Sequence, residues 1–148
     1  GQAIDVEVIG NNAYFGYDSF GLIAYSMTDL VEPVPAGVDP TELFVKKNNG
    51  IVRYDYRPEF LGKFKLQEVE GFEDVDGGSV KMAYTQQSGN LYIYAAFGHY
   101  GVVKINYTNA SDPVLLGAVP TASECVDVEI SNGRLYVGDH GGGLVLFK

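Results

Sequence analysis

The chain contains an internal repeat, which limits its possible folds more than any other feature does. The stretch AIDVEVIGNNAYFGYDSFGLIAY, beginning at Ala3, aligns without a gap on CVDVEISNGRLYVGDHGGGLVLF, beginning at Cys125. In this alignment Asp5 meets Asp127 and Tyr14 meets Tyr136. Because self-similarity at a long period is typical of repeat architectures, we predict a fold built from copies of one small unit.

Two intermediate copies are visible, LFVKKNNGIVRYDY from Leu43 to Tyr56 and SVKMAYTQQSGNLYIYAAFGHYGVVKINY from Ser79 to Tyr107. The spacings between the glycines that open the third strand of each copy are 29, 51 and 42 residues, and these glycines are Gly21, Gly50, Gly101 and Gly143. A mean period of about 41 residues matches a four-stranded propeller blade.

Each copy is predicted to consist of short strands, because its apolar residues alternate with polar ones. In IDVEVI, for example, Ile4 and Val6 point to one face and Asp5 and Glu7 to the other. A proline-flanked last strand, FLGKFKL or PVLLGAV, suits an outer edge, where a missing N–H costs least. We therefore predict an all-β fold of about 3.5 four-stranded antiparallel propeller blades, covering residues 3–38, 39–70, 79–120 and 124–148.

The repeat is irregular in two places. The second copy lacks a first strand, either because the strand was lost or because residues are missing near Gly37 to Pro40, and the last copy lacks a fourth strand. The predicted propeller is therefore partial or incompletely closed, and three readings stay open: a piece of a larger ring, an imperfect four-bladed ring, or a unit that pairs with itself or another chain. Unpaired strand edges invite such pairing.

The motifs VDVEISNGRLYVGDHGGGLVLF and GVVKINYTNASDPVLLGAV resemble the LVIVD-repeat family of β-propellers. The resemblance lies in an Asp-Val start, a Tyr-Val strand, an Asp-Gly-Gly turn, a Gly-Leu strand and an Asp-Pro before a Leu-Gly strand. It covers most of the chain and implies a propeller fold, without implying an activity.

The charge of the chain opposes one class of partner. Ten Lys and Arg residues against 19 Asp and Glu residues give a formal net charge of −9, whereas nucleic-acid binding requires basic groups that neutralise phosphates. We therefore expect no nucleic-acid partner. No apolar run approaches the roughly 18 to 20 residues that span a bilayer, so no transmembrane segment is predicted.

Several residues are candidates for a ligand site. Glu73, Asp74 and Asp76 precede a glycine turn and could bind calcium, although they do not match the EF-hand pattern and equally suit a solvated loop. His99 and His140 lie in equivalent turns and could bind a metal if they faced one rim, or they could simply be exposed. No cofactor is predicted, with calcium as the open possibility.

Three further features concern modification, reactivity and packing. Asn106-Tyr107-Thr108 and Asn109-Ala110-Ser111 are N-glycosylation sequons in one predicted loop. Cys125 aligns with Ala3, which predicts a small, buried and inert thiol. Tyrosines on the second strands are expected to pack between blades, or else to form an aromatic binding surface; they are Tyr14, Tyr92, Tyr94 and Tyr136.

No catalytic motif accompanies the repeat, so we predict a non-enzymatic propeller module of an extracellular or cell-surface protein. Its predicted role is protein–protein contact, adhesion or assembly, with a protein partner or a second copy bound at exposed blade edges. The alternative is an enzyme or a ligand- or metal-binding propeller with its site at the channel mouth. The candidates for that site are Asp5, Asp127, Asp139 and His140.

Overall fold

The computed structural model describes residues 2–18, 21–27, 44–47, 50–53, 59–74 and 81–147. The regular elements of these residues are strands and one 3-10 turn at Leu66–Glu68. The strands are β1 (Ala3–Ile9), β2 (Asn12–Tyr17), β3 (Gly21–Ser26), β4 (Phe44–Lys47), β5 (Gly50–Arg53), β6 (Glu59–Phe64), β7 (Met82–Gln87), β8 (Asn90–Ala96), β9 (Val102–Asn106), β10 (Val114–Val119), β11 (Cys125–Ser131), β12 (Arg134–Asp139) and β13 (Gly143–Phe147). The prediction of an all-β fold is confirmed.

The strands form three antiparallel sheets and one hairpin. The first sheet has the order β1-β2-β3-β6, the second runs β7-β8-β9-β10, and the third contains β11-β12-β13. β4 and β5 pair only with each other among the described strands. Strand neighbours within each sheet follow chain order, except where β6 joins β3.

The assignment of FLGKFKL to the second blade, residues 39–70, is wrong. Its strand β6 pairs with β3, so that Leu22 lies opposite Phe64 and Tyr25 lies opposite Phe60. In its described residues, the second repeat copy forms the two strands of the β4–β5 hairpin, within the connection from β3 to β6. The β4–β5 hairpin thus lies in the chain between two paired strands of the first sheet; residues 37–40, where the second copy is irregular, lie outside the described residues.

The repeat between the first and third sheets extends to backbone detail. β1 has a β-bulge between Ala3 and Asp5, and β11 has the equivalent bulge between Cys125 and Asp127. In the first sheet the Asp18 N–H donates a backbone hydrogen bond to the Gln2 C=O. The equivalent hydrogen bond in the third sheet runs from the His140 N–H to the Glu124 C=O. Equivalent sequences thus adopt equivalent local structures.

The three sheets stack in chain order. We call the sheet face that carries Tyr14, Tyr92 or Tyr136 the front face, and the opposite face the back face. The front face of the first sheet packs on the back face of the second, burying Tyr14 and Leu22 against Ile93 and Tyr107. The front face of the second sheet packs on the back face of the third, in a smaller cluster that includes Val102, Cys125, Val128 and Val137.

Three of the four repeat glycines have a defined structural reason. Gly21 and Gly143 are the first residues of β3 and β13, and Gly101 directly precedes β9. Their φ angles are +74°, +76° and +78°, a conformation that glycine adopts without a steric penalty. A β-carbon at Gly21 would overlap the carbonyl oxygen of Phe64, and one at Gly101 would overlap that of Val119. At both places the fourth-strand segment passes against the glycine.

Candidate functional site

Asp5 is a structural residue between two sheets. Its Oδ2 accepts a hydrogen bond of 2.9 Å from the Met82 N–H, and its Oδ1 lies 3.6 Å from Lys81 Nζ. The Asp5 carboxylate therefore attaches the start of β7 to the first sheet. The equivalent Asp127 accepts a bond of 3.0 Å from the Val128 N–H of its own strand.

Glu7 on β1 lies near two other carboxylates, those of Asp5 and Glu129. Partial burial raises the pKa of the Glu7 carboxyl, and the nearby charges of Asp5 and Glu129 raise it further. Glu129 lies on β11 of the third sheet, so the pKa of Glu7 reflects negative charge from both β1 and β11. Among the described residues, however, no group of three or more His, Cys, Asp and Glu side chains is arranged to hold a metal ion.

Asp139 organises the turn between β12 and β13. Its Oδ2 accepts the Ser123 N–H at 2.8 Å, and its Oδ1 accepts the N–H groups of Gly141 and Gly142. Burial acts to raise the pKa of the Asp139 carboxyl, but these hydrogen bonds together hold it below its usual range. The next residue, His140, is largely exposed, with Nδ1 at 4.0 Å from Glu124 Oε2. Asp139 is thus bound by backbone groups on both oxygens.

The predicted calcium loop is described only in part, because Asp76 lies outside the described residues. Both carboxylate oxygens of Glu73 accept the Gly71 N–H, at 3.0 and 3.1 Å. The backbone oxygen of Asp74 accepts a bond of 3.2 Å from the Tyr100 hydroxyl. These contacts connect the loop to itself and to the β8–β9 turn, where His99 is exposed.

Cys125 is fully buried between the second and third sheets. Burial raises the pKa of its thiol to about 11, so the thiolate that nucleophilic chemistry needs is disfavoured. The Cys125 N–H donates to the Gly98 carbonyl at 2.8 Å, which joins β11 to the β8–β9 turn. Its surroundings are those of an inert structural cysteine.

The first sequon begins at Asn106, the last residue of β9, and the second follows it in the β9–β10 connection. Asn106 Oδ1 accepts the Thr108 N–H at 2.9 Å, and Asn109 Oδ1 accepts both the N–H and the hydroxyl of Ser111. Thr108, Asn109 and Ser111 are exposed, whereas Asn106 is half-buried. Asn109 is therefore the more accessible acceptor.

Two of the four second-strand tyrosines, Tyr14 and Tyr94, pack in the clusters between sheets. Tyr14 is buried with its ring edge-on to Tyr107, with 5.4 Å between the ring centroids. Lys104 Nζ lies 4.7 Å from the ring centroid of Tyr92 and 5.4 Å from that of Tyr94. Tyr136, on the front face of the third sheet, is half-buried.

A groove lies where the third sheet is one strand narrower than the other two. It has a volume of about 240 Å³ and is lined mainly by apolar side chains, from β10 by Leu116 and Val119 and from the third sheet by Leu135 and Phe147. At Gly143, which opens the edge strand β13, an added β-carbon would meet no other atom within 4 Å. The corresponding space at Gly21 and Gly101 is filled by fourth-strand segments, whereas no described strand pairs with this edge of β13, which has room for one more strand.

Sequence reasoning anticipated the missing fourth strand but did not locate the groove. The groove depends on the packing of β10 against the third sheet, which the repeat pattern alone does not specify.

In the described residues, no helix has the length and apolar character needed to cross a membrane. Comparison of the chain with protein-family models, with curated proteins and with solved structures found no match.

Proposed function

We propose that this chain is a non-enzymatic β-propeller-type module that mediates protein–protein contact, adhesion or assembly through an exposed sheet edge. The observation that supports this function most strongly is the open edge of β13 beside Gly143. An edge strand presents unpaired backbone donors and acceptors, which another extended chain can bind. The first two sheets each hold a strand in the equivalent place.

The groove beside this edge adds selectivity for side chains. Strand addition gains affinity from main-chain hydrogen bonds and specificity from pockets that accept alternate side chains. Leu116, Val119 and Phe147 form such an apolar pocket next to β13. The partner that fits is a protein segment in extended conformation with an apolar residue at alternate positions.

The propeller architecture is supported by the stacking of three sheets in chain order, front face on back face. The resemblance to LVIVD-repeat propellers agrees with this arrangement. The carboxylates of Asp5 and Asp139 do not favour a catalytic role, because each accepts hydrogen bonds from backbone N–H groups and holds a strand or turn in place.

A peptide-binding experiment tests the edge. The probe is a fluorescent peptide of sequence PEFLGKFK, residues 58–65, which contains the outer strand of the first sheet. We expect saturable binding measured by fluorescence anisotropy, and no binding of a scrambled peptide. The variant that tests the edge is Gly143→Ala, compared with the wild-type chain. Its added methyl group would occupy the space that the incoming strand needs, so we expect it to weaken binding at least ~10-fold. Equal binding by both proteins, or none by either, would exclude this edge as the contact site.

The extracellular or cell-surface location is supported by the exposed sequon at Asn109. Material secreted by eukaryotic cells should carry a glycan on Asn109 or Asn106, which mass spectrometry before and after enzymatic deglycosylation detects. Secreted protein with both asparagines unmodified would remove this support for the location, while leaving the edge proposal untouched.

A further inference from the structure

In the part of the chain that the structure describes, no sheet covers the front face of the third sheet, although its counterpart in the first sheet is buried. In the first sheet, Leu22 and Ala24 are both 0% exposed, because they pack on the second sheet. Their repeat equivalents on β13, Leu144 and Leu146, are 73% and 45% exposed. The third sheet therefore carries a front face of the type that elsewhere receives the next sheet.

The back face of the first sheet shows the complementary imbalance. Val128 on β11 packs on the second sheet and is 4% exposed, whereas the equivalent Val6 is 51% exposed and Val8 is 62% exposed. Rings continue this face across the sheet: Phe15 lies 5.8 Å from Tyr25, and Tyr25 lies 5.9 Å from Phe60, between centroids. The first sheet thus carries a back face of the type that elsewhere receives the preceding sheet.

A polar contact shows the same difference between equivalent residues of the first and third sheets. Asp5, on the front face of the first sheet, binds the N–H of Met82 at the start of the next sheet. Its equivalent Asp127 has no following sheet among the described residues, and one of its oxygens accepts the adjacent Val128 N–H. A sheet placed on this front face would bring a backbone N–H from the start of its own innermost strand to Asp127.

We propose that the front face of the third sheet docks on the back face of the first sheet in a second copy of this chain. The contact is head to tail and repeats the two interfaces already present within the chain. The inference shares the assembly role of the proposed function, but it concerns the sheet faces and does not depend on the β13 edge.

The second copy is favoured over an unrelated protein because the chain itself carries both halves of the interface. A front face and a back face of the same repeat type remain uncovered at opposite ends of the stack. A head-to-tail contact between two copies forms a closed ring if the rotation closes. Two copies bring six sheets together, within the range of typically about four to eight in closed propellers.

Three variants of the full chain test the contact. Leu144→Glu places a charge on the front face, and Val8→Glu places one on the back face; both sites are exposed, so the fold should tolerate them. Val114→Glu is the matched control, since Val114 is 51% exposed on the outer strand β10, away from both end faces. Circular dichroism melting confirms that each variant is folded.

The mass in solution, measured by light scattering and sedimentation over a range of concentrations, gives the result. We expect the wild-type chain and Val114→Glu to form a species of twice the chain mass. Leu144→Glu and Val8→Glu should each raise the dissociation constant at least ~10-fold, because the contact would bury an unpaired charge.

A mixture of Leu144→Glu and Val8→Glu distinguishes a head-to-tail contact from other associations. Each variant keeps the face that the other has lost, so the mixture should form a mixed dimer through one intact interface, whereas neither variant alone does. A wild-type chain that stays at single mass, a dimer insensitive to Leu144→Glu, or a mixture that remains monomeric would each overturn the proposal. None of these outcomes bears on the β13 edge, which the peptide-binding experiment tests separately.

Discussion

At the residue scale, Asp139 offers a sharp test of the turn that follows β12. Its carboxylate satisfies the N–H groups of Ser123, Gly141 and Gly142, which Asp139→Ala would leave unpaired. We expect this variant to lower the melting temperature by several degrees at neutral pH, because unsatisfied polar groups are costly. Thermal melts of the wild type, of Asp139→Ala and of the control Asp112→Ala measure the effect. Asp112 is exposed, so its variant should melt like the wild type.

The pH dependence of this difference has a defined sign. The pKa of Asp139 in the folded chain is lower than its ordinary value of 3.8, so the unfolded state takes up a proton first as pH falls. The stabilisation is therefore complete well above pH 3.8 and is lost as pH falls through the folded pKa. The gap between the two melting temperatures should shrink below about pH 4. A gap that is constant or grows in acid would show that the charge of Asp139 does not stabilise the turn.

At the element scale, the glycines that open the third strands differ in what surrounds them. Gly21→Ala and Gly101→Ala combine an unfavourable positive φ with overlap on a fourth-strand segment, whereas Gly143→Ala has only the unfavourable φ. We expect Gly143→Ala to cost about 1 kcal/mol of unfolding free energy, and the other two to cost clearly more. Urea unfolding of the three variants measures the order. Equal losses at all three positions would mean that the space beside Gly143 is already occupied.

The elements themselves were largely predictable from the sequence, because alternation and turn glycines are local signals. Strands β7 to β13 follow such signals, and the bulges of β1 and β11 repeat with their sequences. The pairing of β6 with β3 was not predictable, since a proline-flanked apolar strand carries no mark of the sheet it completes. Gly50 resembles the repeat glycines in the sequence, but it belongs to the β4–β5 hairpin, which precedes β6 in the chain.

At the scale of the whole molecule, Tyr107 connects the first two sheets. It is buried, its hydroxyl donates to the Leu22 carbonyl at 3.2 Å, and its ring contacts Tyr14 edge-on. Burial, together with the neighbouring Tyr14, raises the pKa of Tyr107 far above its ordinary value, so it remains a neutral donor. We expect Tyr107→Phe to cost about 1 kcal/mol by loss of a hydrogen bond, and Tyr107→Ala about 3–5 kcal/mol by loss of the ring.

Urea unfolding compares these variants with Tyr84→Ala, a truncation at a partly exposed tyrosine of the same sheet. Tyr84→Ala should cost less than about 1 kcal/mol. A similar cost for Tyr84→Ala and Tyr107→Ala would indicate that the first and second sheets do not share a core. The candidate interaction faces were harder to predict than this core. Leu22 and Leu144 are equivalent leucines of the repeat, and they differ in exposure because a further sheet packs on Leu22 and not on Leu144 among the described residues.

The central claim is that successive sheets stack front face on back face, and a nuclear Overhauser spectrum of the full chain tests it most directly. The account predicts cross-peaks between the rings of Tyr14 and Tyr107, and between Leu22 and Tyr107, across the first and second sheets. Phe15 and Tyr25 provide the internal control, since their rings contact each other within the first sheet. Control peaks without any Tyr14–Tyr107 or Leu22–Tyr107 peak would contradict the stack.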